Sequence, residues 1–213
     1  MRFMNIIDLS RIPAPANPAA ASERLWVGAD HKPHMVSPNG ERQGLNGGLA
    51  SLITPVVIAT SSAEVLLLGY SMPANFMVPG TSFRVTAHGI ASTSTTAPTM
   101  TWRVRIGTTT LLGNIAALIA PTPAISQTGK PWSVDFLITV RSATVSGTVI
   151  GNGICMNELS TTAPNFLKGS GIANAVAVDT TAVKLIELTF QYGIANASNT
   201  LTCHNAVIEL VDV

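Results

Sequence analysis

Charge is scarce in this sequence. Asp, Glu, Lys and Arg together make 11% of its 213 residues, against about 25% in a typical globular domain. The balance is flat as well, with 12 basic residues against 11 acidic ones and a net charge of +1. No run of Lys or Arg occurs. Nucleic-acid binding needs a basic patch that neutralises phosphates, so that class is set aside. Cysteine is nearly absent: Cys155 and Cys203 stand alone. Two thiols in a chain this long make no disulfide framework, and their apolar neighbours mark them as buried free thiols. Long apolar runs are missing too. A membrane helix needs about 20 apolar residues, but Asn114 interrupts the stretch near Leu111, and Pro121 and Pro123 end the run from Ile115 to Ala120. No membrane span is expected. Near the N-terminus Asp8 and Ser10 break the apolar part, which makes no signal peptide and predicts accumulation in a cytoplasm.

Groups that carry chemistry are just as thin. His31 and His34 form an H-x-x-H beside Asp30, but Pro33 separates them and no third zinc ligand lies near. They read as part of a solvated turn. His88 takes an outward parity on its strand, and His204 falls where a strand changes phase. A cupin-like metal site would need more ligands than these. The acids after residue 48 are Glu64, Asp135, Glu158, Asp179, Glu187, Glu209 and Asp212. A glycosidase needs two facing carboxylates. Asp135 and Glu187 are the pair whose parity allows it, with two separate surface charges as the plain alternative. No G-x-S-x-G elbow is present. Gly151-Asn152-Gly153 lacks the Lys of a phosphate loop and reads as a turn. Asn196-Ala197-Ser198 matches a glycosylation sequon, which matters only in a secreted protein. The expectation is a protein that is not an enzyme, with no cofactor and no metal.

What the chain does have is period-2 alternation. Trp102, Val104 and Ile106 alternate with Thr101, Arg103 and Arg105. Trp132, Val134, Phe136, Ile138 and Val140 alternate with Ser133, Asp135, Leu137, Thr139 and Arg141. Ile186, Leu188, Phe190 and Tyr192 alternate with Leu185, Glu187, Thr189 and Gln191. Successive side chains of a strand point to opposite faces, so each segment has one buried face. Leu137 and Leu185 interrupt the polar face, either as patches covered by a neighbouring subunit or as isolated surface apolars. From Leu201 onward the apolar parity shifts between Cys203 and Ala206. A β-bulge at His204-Asn205 accounts for that, as does a strand buried on both faces. Between Met72 and Gly89 the sequence reads as a strand end, a loop, a Pro79-Gly80 turn, and a strand with Phe83, Val85 and Ala87 on one face. Strands separated by Gly, Pro, Ser and Thr, with wide loops at Ala91 to Thr99, Pro121 to Pro131 and Thr161 to Gly171, fit a jelly roll. The expected fold is all-β, a jelly-roll-like antiparallel β-sandwich preceded by an extended N-terminal arm and a small β-hairpin module.

Three segments follow. Residues 1–22 form the arm, apolar at Phe3, Ile6, Ile7 and Leu9 and then punctuated by Pro13, Pro15 and Pro18, which forbid a helix across them. It suits a free tail or a strap that orders on a neighbouring subunit. Residues 23–48 form the β-hairpin module and a Gly-rich joint, with Leu25-Trp26-Val27 and Pro33-His34-Met35-Val36 as strands. Trp26, Val27 and Met35 are its expected anchors. Residues 49–213 form the sandwich.

The stretch EVLLLGYSMPANFMVPGTSFRVTAHG, Glu64 to Gly89, resembles the opening of a jelly-roll domain found in tailed-bacteriophage virion proteins. There a strand passes through an I/M-P-A-N loop and a G-x-x-F/L-R-V/I turn into a strand ending at Gly. Trp102 to Leu112 is similar to the strand and hairpin that follow. Arg24 to Gly40 resembles a short β-module that often precedes such domains. The resemblance implies a structural protein of the virion, either a capsid decoration (cement) protein or a head-fibre or tail-fibre domain. It implies a homotrimer with jelly rolls around a threefold axis, the major capsid protein as partner, and a place on the capsid surface. Phe3, Ile6, Ile7 and Leu9 are then the expected shell contacts. The alternative is a fibre protein that recognises a host-surface glycan or protein through its loops.

Overall fold

The computed structural model describes residues 24–27, 33–36, 42–44, 48–96, 98–112, 124–159, 165–168 and 175–211. The chain divides into two compact units, Met1–Leu49 and Ala50–Val213. In the first, β1 (Arg24–Val27), β2 (Pro33–Val36) and β3 (Arg42–Gly44) form an antiparallel sheet in that order. The sequence reading expected one hairpin here. The third strand occupies part of what Gly44 had marked as joint: three residues add a ladder to β2 in the register His34↔Gly44 to Val36↔Arg42. A lone hairpin is marginal in water, and a third strand makes it less so.

The second unit, with Gly48 and Leu49 at the boundary, holds β4 (Gly48–Ser51), β5 (Val56–Ala59), β6 (Val65–Met72), β7 (Ser82–Ser92), β8 (Met100–Ile106), β9 (Thr109–Leu112), β10 (Lys130–Ser142), β11 (Thr148–Asn157), β12 (Asn165–Lys168), β13 (Val176–Ala177), β14 (Lys184–Tyr192) and β15 (Thr200–Val211). No helix occurs among the described residues. The larger sheet runs β12-β11-β10-β7-β15-β4, with β5 also beside β15 and β13 beside β11; the smaller runs β6-β14-β8-β9. Eight of these strands give the jelly-roll connectivity. With β5 to β10 as first to sixth, β14 as seventh and β15 as eighth, the sheets read 1-8-3-6 and 2-7-4-5. β11, β12 and β13 are an addition between the sixth and seventh strands that widens the larger sheet past β10.

The alternating rows close the core. Phe83, Val85, Ala87, Val134, Phe136 and Ile138 from the larger sheet and Val104, Ile186, Leu188 and Phe190 from the smaller one are fully buried. Trp102 and Trp132 meet across the sandwich with ring centroids 5.8 Å apart, and Phe190 stands edge-on to Trp102 at 4.9 Å. Two aromatic sheets of side chains therefore meet in one cluster, the tilted geometry that ring quadrupoles favour. Trp132 donates its indole N–H to the Ile90 carbonyl at 3.2 Å.

Turn chemistry falls where the sequence placed it. Thr81 N–H donates to Val78 O at 3.0 Å, closing a turn with Pro79 second and Gly80 third at φ +93°. That is a type II turn, in which only the third position needs positive φ. The ladder between β15 and β7 shifts register between Cys203 and Asn205, the bulge that the parity change had indicated. Gly151-Asn152-Gly153 is a correction. It is no turn but the middle of β11, where Gly153 faces Phe136 across the ladder. A Cβ on Gly153 would overlap the Asp135 carbonyl oxygen and the Phe136 backbone, so the glycine marks a close approach of two strands.

Strand directions sort the loops to two ends. One end, here the upper, carries 60–64, 93–99, 124–129 and 193–199; the lower carries 73–81, 107–108, 143–147 and 178–183. The lower loops are tied to each other and to β10 by backbone bonds, among them Asn75 N–H to Thr180 O at 3.2 Å, Thr180 N–H to Thr144 O at 3.1 Å and, onto β10, Gly80 N–H to Val140 O at 3.0 Å.

Candidate assembly surfaces

The outer face of the smaller sheet is built by parity. Burying Ile186, Leu188 and Phe190 turns Glu187, Thr189 and Gln191 outward, and burying Trp102, Val104 and Ile106 turns Arg103 and Arg105 outward. Register sets Glu187 opposite Arg105 and Thr189 opposite Arg103. Glu64, just before β6, reaches over this row. Its carboxylate lies 2.7 Å from Arg105 Nη1 and 3.2 Å from Arg103 Nη1, and it accepts the Thr189 hydroxyl. Arg105 also faces Glu187 at 3.4 Å, and Arg103 donates to Gln191 Oε1 at 3.0 Å. Burial opposes the charge of Glu64. The hydrogen bonds from Thr189 and Arg105 and the two guanidinium charges outweigh it and hold the carboxyl below its ordinary value. Two carboxylates and two guanidiniums close on each other. This is a closed network of ion pairs and hydrogen bonds.

The outer face of the larger sheet differs. Its cross-strand rows place Pro131 beside Ile90, Thr202 and Val57, then Ile154 beside Asp135, Thr86 and Val207, then Leu137 beside Arg84 and Glu209. Val57 is 66% exposed, Leu137 45%, Ile90 40% and Ile154 40%. Amid them one ion pair stands: Arg84 Nε donates to Asp135 Oδ1 at 2.9 Å and Nη2 to Oδ2 at 2.6 Å. The hydrogen bonds from Arg84 hold Asp135 below its usual carboxylate range. The sequence reading singled out only Leu137 from this face. Ile90 and Ile154 carry the same signal, an apolar residue at outward parity.

The other sequence candidates fall as follows. Phe3, Ile6, Ile7 and Leu9 lie outside the described residues, as does His31. Trp26, Val27 and Met35 sit on β1 and β2 at the register positions Trp26↔His34, Val27↔Pro33 and Leu25↔Met35. Asp135 and Glu187 do not meet: they occupy the outer faces of different sheets, so no facing carboxylate pair forms. His88 is exposed on β7, and His204 is exposed at the bulge. Among the described residues no cluster of three metal-ligating side chains occurs. Burial pushes the Cys203 thiol up to about 11 and the Cys155 thiol higher, so both remain protonated and inert. Trp132, which the alternation assigned to a buried row, is on β10 and only 3% exposed.

At the upper end an open hollow of about 420 Å³ is lined by Ser92 to Thr95, Ser126, Gln127, Thr128, Ser198 and Thr200. Several hydroxyls there serve the loops themselves: Thr93 Oγ1 donates to Ala124 O at 2.6 Å and Ser94 Oγ to Thr96 O at 2.8 Å. At the lower end Val78, Val145 and Val183 are 53%, 72% and 62% exposed on the cross-linked loops. No helix among the described residues is long and apolar enough to cross a membrane. No protein-family model, curated protein or solved structure matches the chain.

Proposed function

We propose that this chain is a structural protein of a tailed-phage virion, a decoration protein that assembles as a homotrimer on the capsid and stabilises the shell. The observation that carries the reading is where the phage-like stretch falls. Glu64 to Gly89 spans the second jelly-roll strand, the crossover loop with its two tight turns, and most of the third strand. The strand, loop, turn and strand that the resemblance describes therefore fall on consecutive elements of this fold, which supports the reading. Low charge and apolar outward side chains add support, because obligate interfaces are more apolar than ordinary surface. The mechanism is linkage: a protein that binds only the assembled shell stabilises it, and three arms on one trimer bind together through effective concentration.

Localisation on the parent virion by cryo-electron microscopy tests this. Regular density at threefold or quasi-threefold shell positions is expected; density confined to a tail tip or a few spikes overturns it. Deleting residues 1–21 should leave a folded trimer that no longer binds capsids, and retained binding removes the strap role of Phe3, Ile6, Ile7 and Leu9. The hydroxyl-lined hollow at the upper loops favours a second reading, a fibre protein that binds a neutral glycan there. Binding of the intact chain on a glycan array, lost on filling the hollow with Ser94→Trp or Thr128→Trp, would put that reading first.

A further inference from the structure

We propose that the outer face of the larger sheet, centred on Ile90, Leu137 and Ile154, is covered by a second copy of this chain. The inference rests on the homotrimer of the reading above and names the surface through which copies meet. An antiparallel sheet with one face on water alternates apolar in and polar out. Here the outward rows break that alternation at Val57, Ile90, Pro131, Leu137 and Ile154, with Ile150, Met156, Val207 and Val211 half-buried on the same side. Pro131, Ile90 and Val57 share one row and Ile154 and Leu137 lie two and three rows away, with Ser133, His88 and Asn205 in the row between and the half-buried Met156 linking the two groups.

Charge selects the occupant. The outward charged side chains of β7, β10, β11 and β15 are Arg84, Asp135, Arg141 and Glu209, two of each sign. Arg84 and Asp135 neutralise each other in a bidentate pair at the centre. Nucleic acid or an anionic membrane would call for a basic surface, and a protein of opposite sign would call for a net charge. A second copy that meets this face with its own like face about a symmetry axis needs the reverse, because a single-signed face there repels itself. The size agrees: five strands about 4.8 Å apart and about nine residues long give a flat area of about 700 Å². A standard interface takes about 800 Å² from each partner.

The test uses the full chain. Light scattering across a dilution series in the micromolar range should give a multiple of the 22.2 kDa chain mass. Ile90→Lys combined with Ile154→Lys should return the mass to a single chain with an unchanged circular dichroism spectrum. Val183→Lys, on a lower loop, should leave it multimeric. If the double variant does not fold, hydroxyl-radical footprinting of the unaltered protein decides. Leu137, 45% exposed in the single chain, should react several-fold more slowly than Leu185, 39% exposed on the other sheet. A single-chain mass at every concentration overturns the inference; so does a multimer that survives the double change or in which Leu137 reacts as freely as Leu185. The virion reading fails separately. Trimers at regular shell positions that meet through another face sink this inference alone, and a multimer through this face that is absent from the shell sinks the other alone.

Discussion

The two outer faces of the sandwich answer the same problem in opposite ways. Both sheets bury rows of like kind, with Trp102, Val104 and Ile106 on one side and Trp132, Val134 and Phe136 on the other. The inward rows therefore say only that there is a core. On the smaller sheet the outward row is Arg103, Arg105, Glu187, Thr189 and Gln191, gathered by Glu64 into a network that satisfies itself, with Leu66 and Leu185 the exposed apolar side chains beside it. On the larger sheet the outward rows hold Ile90, Leu137 and Ile154 around one ion pair. A face that remains in water gains from polar side chains closing on each other. A face that meets protein gains from apolar area, worth about 25 cal/mol per Å² removed from water. On our reading the smaller sheet faces solvent and the larger one faces a neighbour, and the outward residues carry that difference.

The comparison breaks most sharply at glycines. Gly153 on the larger sheet has Phe136 and the Asp135 carbonyl where a Cβ would sit. Neither is the end of a flexible side chain, so Gly153→Ala forces two strands apart. A loss of about 3 kcal/mol is expected by denaturant unfolding, in the range of overpacked cores. Gly69 on the smaller sheet would place its Cβ 3.3 Å from Leu185 Cδ1, the tip of a partly exposed side chain that can turn away. Gly69→Ala should stay within about 0.5 kcal/mol. Equal losses at the two sites would mean that the close approach at Gly153 is relieved in solution.

The next effect is expected at Glu64. Glu64→Gln keeps the shape and removes the charge, so that Arg105 keeps Glu187 at 3.4 Å and Arg103 keeps its hydrogen bond to Gln191, but neither keeps the Glu64 carboxylate. Its side chain is 27% exposed, and a loss of about 1–2 kcal/mol at neutral pH is expected for a part-buried charge-assisted cluster. The pH dependence has a definite sign. A carboxyl whose folded value lies below its ordinary 4.5 contributes fully above that value, and its contribution is lost as pH falls through the lower folded value. Melting temperatures followed from pH 7 down to about 3 should fall less steeply for Glu64→Gln than for the unaltered chain. Parallel curves would remove the network from the stability of this face.

Much of this was legible in the sequence, for a reason that also marks its limit. Period-2 alternation identified the inward rows at 102–106, 132–140 and 186–192, and a parity change located the bulge at Cys203/Asn205. Alternation reports which side of a strand is dry, but not what lies across the sheet. The Glu64 network joins residues 41 and 125 positions apart, and nothing in the pattern near Glu64 announces Arg105 or Thr189. Gly151-Asn152-Gly153 misled because turn residues were read by composition. In β11 Gly153 answers to crowding from β10, a tertiary cause that local propensity does not carry. Asp135 and Glu187 likewise shared a parity but belong to different sheets.

The smallest effect in the isolated chain is expected at Asp135, and there the comparison is sharpest. Both members of the Arg84–Asp135 pair are nearly half exposed, at 47% and 48% of their side chains. Exposed pairs contribute little because water and salt screen them. Asp135→Asn should therefore leave the melting midpoint of the dissociated chain, measured at high dilution, within experimental scatter. Assembly changes the setting. If a second copy covers this face, Arg84 in the variant loses its hydrogen-bonded partner and keeps only Glu209 across the ladder under a dry surface, and removing one partner of a covered pair is costly. The variant should then dissociate at higher protein concentration than the unaltered protein while matching it as a single chain. An Asp135→Asn protein that assembles as strongly as the original would place the centre of this face in water, which leaves only its margins, near Ile90 and Val57, for a neighbour.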